Sequence, residues 1–146
     1  MSEMDERLAV VEAARSWLLT PYHNHARVKG SGVDCVHLLA AAWIEVGLVS
    51  KIDPGWYSPE WHLHHSEEKY IEGLLKFSRK VERDPLPADI AMFQYGRTSS
   101  HAAIVVDWPL MIHSYRGRGV EYVKLSDACF RDKKGGNRLT GIYSFW

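Results

Sequence analysis

The sequence predicts an α+β domain, with helices in its first half and an antiparallel sheet in its second. Three observations carry this. Residues 5–19 and 35–46 show helical spacing or an alanine-rich apolar run. From residue 90 onward the chain breaks into short runs rich in β-branched and aromatic residues, separated by turn chemistry. Helices followed by a meander of strands make an α+β arrangement, because parallel strands would need helices between them.

In the first helix Leu8, Val11, Ala14, Trp17 and Leu18 recur at three- and four-residue steps, and Thr20-Pro21 stops it. Residues 21–32 are polar and carry Pro, Asn and glycines, so they read as a loop. The run VHLLAAAWIEVGL follows Asp34-Cys35 and ends at Gly47, a glycine placed to terminate a buried helix. Asp34 is its expected N-cap, which puts Cys35 in the first turn, where free N–H groups favour a thiolate.

Residues 50–66 combine two prolines, three aromatics and His62, His64 and His65 without a sustained period, and read as an ordered irregular loop. Ser66 is the expected N-cap of a helix running to about Phe77 or Lys80. Strands are expected at 90–95, 102–106, 110–115, 120–125 and 139–146, with GRTSS, DWP, RGRG and KKGGN between them. Nothing marks an internal repeat or a second domain, so residues 1–146 are expected to form one domain.

Charge and cysteine usage narrow the function. The 146 residues hold 18 Lys plus Arg and 18 Asp plus Glu, which leaves no overall field to attract nucleic acid or an anionic membrane. The halves differ, at −5 for residues 1–73 and +5 for 74–146, a solvated dipole in the ordinary case. Two cysteines, Cys35 and Cys129, are too few for a disulfide framework and lack zinc spacing. The acidic N-terminus lacks the pattern of a signal peptide, and no apolar run is long enough to span a bilayer, so synthesis in the cytoplasm without membrane insertion is expected.

Cys35 taken alone reads as a small buried residue. At a helix start it also reads as a nucleophile, which needs an imidazole within hydrogen-bond reach and a third group to orient that imidazole. His101 opens the strand HAAIVV, and His113 lies on the next strand. They share a sheet face if the intervening loop has an odd number of residues; a two-residue Trp108-Pro109 turn puts them on opposite faces.

The segments AARSWLLTPYHNHARVKGSGVDCVHLLAAAWIEVGLV and PADIAMFQYGRTSSHAAIVVDWPLMIHSY resemble the two motifs of the NlpC/P60 family of cell-wall peptidases. The resemblance implies a papain-like fold, Cys35 as nucleophile, His101 as general base and acid, and His113 as the residue orienting His101. Tyr22 and Asp34 match positions associated with substrate binding and active-site order. It further implies hydrolysis of an amide in peptidoglycan stem peptides, commonly between D-glutamate and a diamino acid, with no metal or other cofactor.

Val36 and His37 replace the small residues usual after the cysteine, and Ala88 replaces the usual Gly before Asp89. His37 is expected to point away from Cys35. The compact form and the WHLHHSEEKYIE segment look most like the phage and prophage branch, which implies tail proteins as partners and delivery by a tail. A tail-assembly or binding protein that keeps the fold without turnover is the rival reading. Metal binding, with imidazoles from His23, His25, His62, His64 and His65 and a thiolate from Cys35, is a third. Trp56, Tyr57 and Trp61 are expected to line a cleft or cover the core. Trp17 and Trp43 fall at core positions, Phe145-Trp146 closes the last strand, and Cys129 is incidental.

Overall fold

The computed structural model describes residues 1–48, 71, 73 and 75–146. Helix α1 spans Glu3–Arg15, and Ser2 and Asp5 close a capping box at its start. Its buried side is Arg7, Val10, Val11 and Ala14. Leu8, expected on that side, is 48% exposed, while Arg7 is buried. The reason is an ion pair: Arg7 Nη1 lies 2.7 Å from Asp89 Oδ1 and 2.9 Å from the Pro87 carbonyl, and Nη2 donates to Ser144. Arg83 holds the other oxygen of Asp89 at 2.6 Å. A charge this deep is tolerated only with such complete pairing, and alternation of apolar and polar letters cannot reveal it.

Strands β1 (Arg27–Val28) and β2 (Gly32–Val33) form a small hairpin inside the segment expected as loop. Helix α2 spans Cys35–Val46, with Asp34 as its N-cap and Gly47 ending it at φ 79°. Only glycine adopts that left-handed conformation without steric cost. Cys35, Val36, Leu38, Leu39, Ala40, Ala41, Ala42 and Trp43 are all buried, so α2 is the core helix that the apolar run predicts.

The irregular loop, the expected helix N-cap Ser66, and Trp56, Tyr57, Trp61, His62, His64 and His65 lie outside the described residues. Helical conformation is present at Ile71, Gly73, Leu75 and Lys76, but it does not reach Lys80. Residues Arg79–Val81 instead form strand β3 against the C-terminal strand.

Five longer strands follow: β4 (Ile90–Tyr95), β5 (Thr98–Asp107), β6 (Leu110–Tyr115), β7 (Gly119–Lys124) and β8 (Leu139–Ser144). With β3 they make a six-stranded antiparallel sheet in the order β3-β8-β4-β5-β6-β7. Helices α1 and α2 pack together and against one face, on Ile90, Met92, Ala102, Ile104, Ile112 and Val120. The other face carries Ala91, Phe93, Ala103, Val105, Met111 and Val123 under Phe130. The chain ends beyond β8: Phe145 and Trp146 turn onto Trp43, at 5.3 and 6.0 Å between ring centroids, instead of extending the strand.

Two positive backbone angles mark close quarters. Gly119 has φ 76°, and a Cβ there would stand 2.7 Å from the Thr20 carbonyl, so the chain before β1 can lie against β7 only over a glycine. Ala88, which departs from the glycine of the NlpC/P60 pattern, has φ 65°. Glycine adopts that angle without steric cost, and alanine does not.

Candidate active site

The site is assembled by a hairpin and a helix start. Strands β5 and β6 pair Ile104 with Ile112 and Val105 with Met111, then Asp107 with Leu110. The turn is therefore the two-residue Trp108-Pro109 turn, which by parity alone would separate the two histidines. A bulge at Val106 inserts one extra residue and restores the parity. His101 and His113 thus share a face, and His101 Nε2 lies 2.9 Å from His113 Nδ1.

Strand β7 extends the chain of contacts. Glu121 pairs with His113 across β6 and β7, and its Oε2 lies 2.8 Å from His113 Nε2. Arg118 reaches the same oxygen at 2.6 Å and also binds both oxygens of Asp127. Glu121 does not appear among the residues picked out from the sequence. The signal was present: a three-residue turn at 116–118 places residue 121 opposite residue 113, but the register had to be counted from the turn.

An aromatic box encloses the pair. Phe93 stacks on Phe130 at 4.0 Å, both lie near His101, and Tyr115 stacks on His113 at 5.3 Å. Tyr95 and Tyr115 meet His101 edge-on at 6.2 and 5.4 Å. His101 is 6% exposed and His113 fully buried. Burial drives the His101 pKa well below the usual 6.5, and the neighbouring His113 adds to it. Burial also lowers His113, against the opposing pull of its bond to Glu121. Both imidazoles are therefore neutral at pH 7.

Cys35 is the first residue of α2 and is buried. Helix α2 packs on β5 and β6, the strands carrying the two histidines. The segment before it is tied to β6 by Ser114, one residue beyond His113, whose Oγ donates to the Val33 carbonyl at 2.6 Å. Tyr22 forms a bridge with Val33, and the Pro21 carbonyl accepts the Val33 N–H. Arg116 lies over the Tyr22 ring at 5.6 Å.

Asp34 is occupied by structure. Its Oδ1 accepts from the His37 N–H at 2.8 Å and lies 2.7 Å from His37 Nδ1, and its Oδ2 accepts from the His25 N–H. His37 therefore folds back on the cap. Cys129 lies within a short helical turn, Ala128–Phe130, capped by Asp127. Burial and then the Asp127 carboxylate push its thiol up to about 12. Among the described residues no three His, Cys, Asp or Glu side chains stand close enough to share a metal.

The fold is that of NlpC/P60 domains. Solved structures that resemble the chain include an NLP/P60-family lipoprotein-like protein from Staphylococcus aureus, with a TM-score of 0.66 and 15% identity over 99% of this chain and 42% of that one. NlpC1 from Trichomonas vaginalis gives 0.63 and 16% identity, covering 99% of this chain and 46% of that one. The peptidoglycan hydrolase RipB from Mycobacterium tuberculosis gives 0.61 and 16%, covering 96% and 64%. The chain thus spans less than two thirds of each of these three. No protein-family model matches the sequence, and no curated protein matches it.

Proposed function

We propose that the chain is a cysteine peptidase of the NlpC/P60 kind that hydrolyses an amide bond in peptidoglycan stem peptides. The observation that carries this reading is the bonded pair His101 and His113 on strands packed against the helix that Cys35 opens. RipB, similar in fold, is a peptidoglycan hydrolase.

In this reading Cys35 Sγ attacks the scissile carbonyl, and the neutral His101 accepts the thiol proton and passes it to the leaving amine. The tetrahedral oxyanion is met by backbone N–H at the start of α2. Water then cleaves the thioester, with His101 as base. His113 orients His101, and Tyr22, bridged to the segment before Cys35, borders the substrate. The bond between D-glutamate and the diamino acid, and delivery by a phage or prophage tail, follow from the sequence resemblance.

The test is release of peptides from peptidoglycan fragments, followed by mass spectrometry. The parent cleaves and Cys35→Ala does not; a Cys35→Ala protein as active as the parent would sink the assignment. A second reading, a binding or tail-assembly protein without turnover, is favoured by one observation: Cys35 is 0% and His101 6% exposed, so both reacting side chains are shielded from solvent. A parent that binds the fragments without cleaving them would establish that reading instead.

A further inference from the structure

The hydrogen bonds of the two histidines have a direction, and Glu121 sets it. A carboxylate only accepts. Glu121 Oε2, 2.8 Å from His113 Nε2 and 2.6 Å from the Arg118 guanidinium, therefore accepts a hydrogen bond from each. His113 is neutral and buried. With the proton on Nε2, its Nδ1 holds a lone pair and must accept from His101 Nε2, 2.9 Å away. His101 is neutral too, so with its proton on Nε2 its own Nδ1 holds the lone pair. Each tautomer follows from the one before it, starting at the carboxylate.

We propose that Glu121 is a positioning residue: acting through His113, it holds both imidazoles as Nε2–H tautomers and leaves His101 Nδ1 as the nitrogen that accepts a proton. This rests on the peptidase reading for its catalytic consequence, while the tautomers themselves can be read without any substrate. Outer partners of this kind fix ring orientation and tautomer in other imidazole sites. The anchor has its own partners: Arg118 is bonded to Asp127 at 3.1 and 3.2 Å, and Asp127 caps the turn that carries Phe130 against both rings. Tyr95 and Tyr115 complete the surroundings.

The test compares the parent with Glu121→Met and Glu121→Gln. Met removes the acceptor, whereas Gln keeps an oxygen that Arg118 holds in the same place. Nitrogen-15 NMR of the histidine rings reads the tautomers, and turnover of peptidoglycan fragments gives kcat and KM. The parent should carry its ring protons on Nε2 of both residues. Glu121→Met should populate the Nδ1–H form and lose about 10²-fold in kcat with KM little changed, and Glu121→Gln should stay near the parent in both readouts. A parent with the proton on His101 Nδ1 overturns the proposal. So does a Met variant that keeps the parent tautomers or kcat, or a Gln variant that falls as far as Met. A Cys35→Ala control with parent turnover would instead sink the peptidase reading, leaving the NMR measurement to decide the role of Glu121.

Discussion

Cys35 and Cys129 stand in the same local setting and differ in nearly everything that matters. Each lies in a first helical turn just after a capping aspartate, Asp34 in one case and Asp127 in the other. Asp34 turns its oxygens to His37 and His25, and the helix behind it runs for 12 residues. Asp127 turns one oxygen to the Cys129 N–H in a turn of three residues, and its charge opposes a thiolate there. A long helix offers a positive end, while three residues offer almost none. In the proposed reading the motif alone does not make a nucleophile: what the capping carboxylate is bonded to, and how much helix stands behind it, separates Cys35 from Cys129.

The largest effect that can break this contrast is on activity. Cys35→Ala should lose at least about 10³-fold in kcat/KM and Cys129→Ala less than about twofold, read on peptidoglycan fragments. Equal losses would erase the distinction.

Next come the two caps. Asp34→Ala removes the cap of a buried helix and strands His37, which is 2% exposed, so it should cost about 3 kcal/mol. Asp127→Ala removes a cap and a surface pair, for about 1 kcal/mol. Urea unfolding gives both numbers, and reversal of their order would mean that the half-exposed turn matters more than the core helix.

Alkylation sharpens the contrast without mutation. With its thiol pushed up to about 12, Cys129 should resist iodoacetamide at pH 8, and labelling mapped by mass spectrometry should find Cys35 first. Dominant labelling of Cys129 would contradict the inert assignment.

The smallest effect concerns the histidines. Both have folded pKa values below the usual 6.5, so the unfolded chain binds the extra protons and stability falls as pH drops below that value. The loss is larger for His101, whose value is lowered further than that of His113. Asp89, also lowered, titrates in a more acidic window and does not interfere. The midpoint of thermal unfolding at pH 7.5 and 5.5 measures this, and His101→Phe should flatten the dependence. An unchanged slope in that variant would place the acid sensitivity elsewhere.

Much of this molecule was written locally. Asp34 and Gly47 bracket α2 as capping chemistry requires, and four of the strands fall within a residue or two of where turn residues delimit them. Cys35, His101 and His113 could be picked out because a helix start and two adjacent strands are local patterns and the segments that carry them resemble the NlpC/P60 motifs. Strand β3 was missed because Arg79–Val81 is short and its pairing with β8 spans the chain. Leu8, expected on the buried face, is exposed and Arg7 is buried because Asp89, far along the sequence, offers the guanidinium a buried partner. The sequence by itself determined where α2 and strands β4, β6, β7 and β8 begin, to within a residue, since caps and turns act within a few residues. Only the tertiary structure decided that His101 and His113 share a face and that Glu121 completes their chain, because one bulged residue at Val106 inverts side-chain parity and register is a property of paired strands.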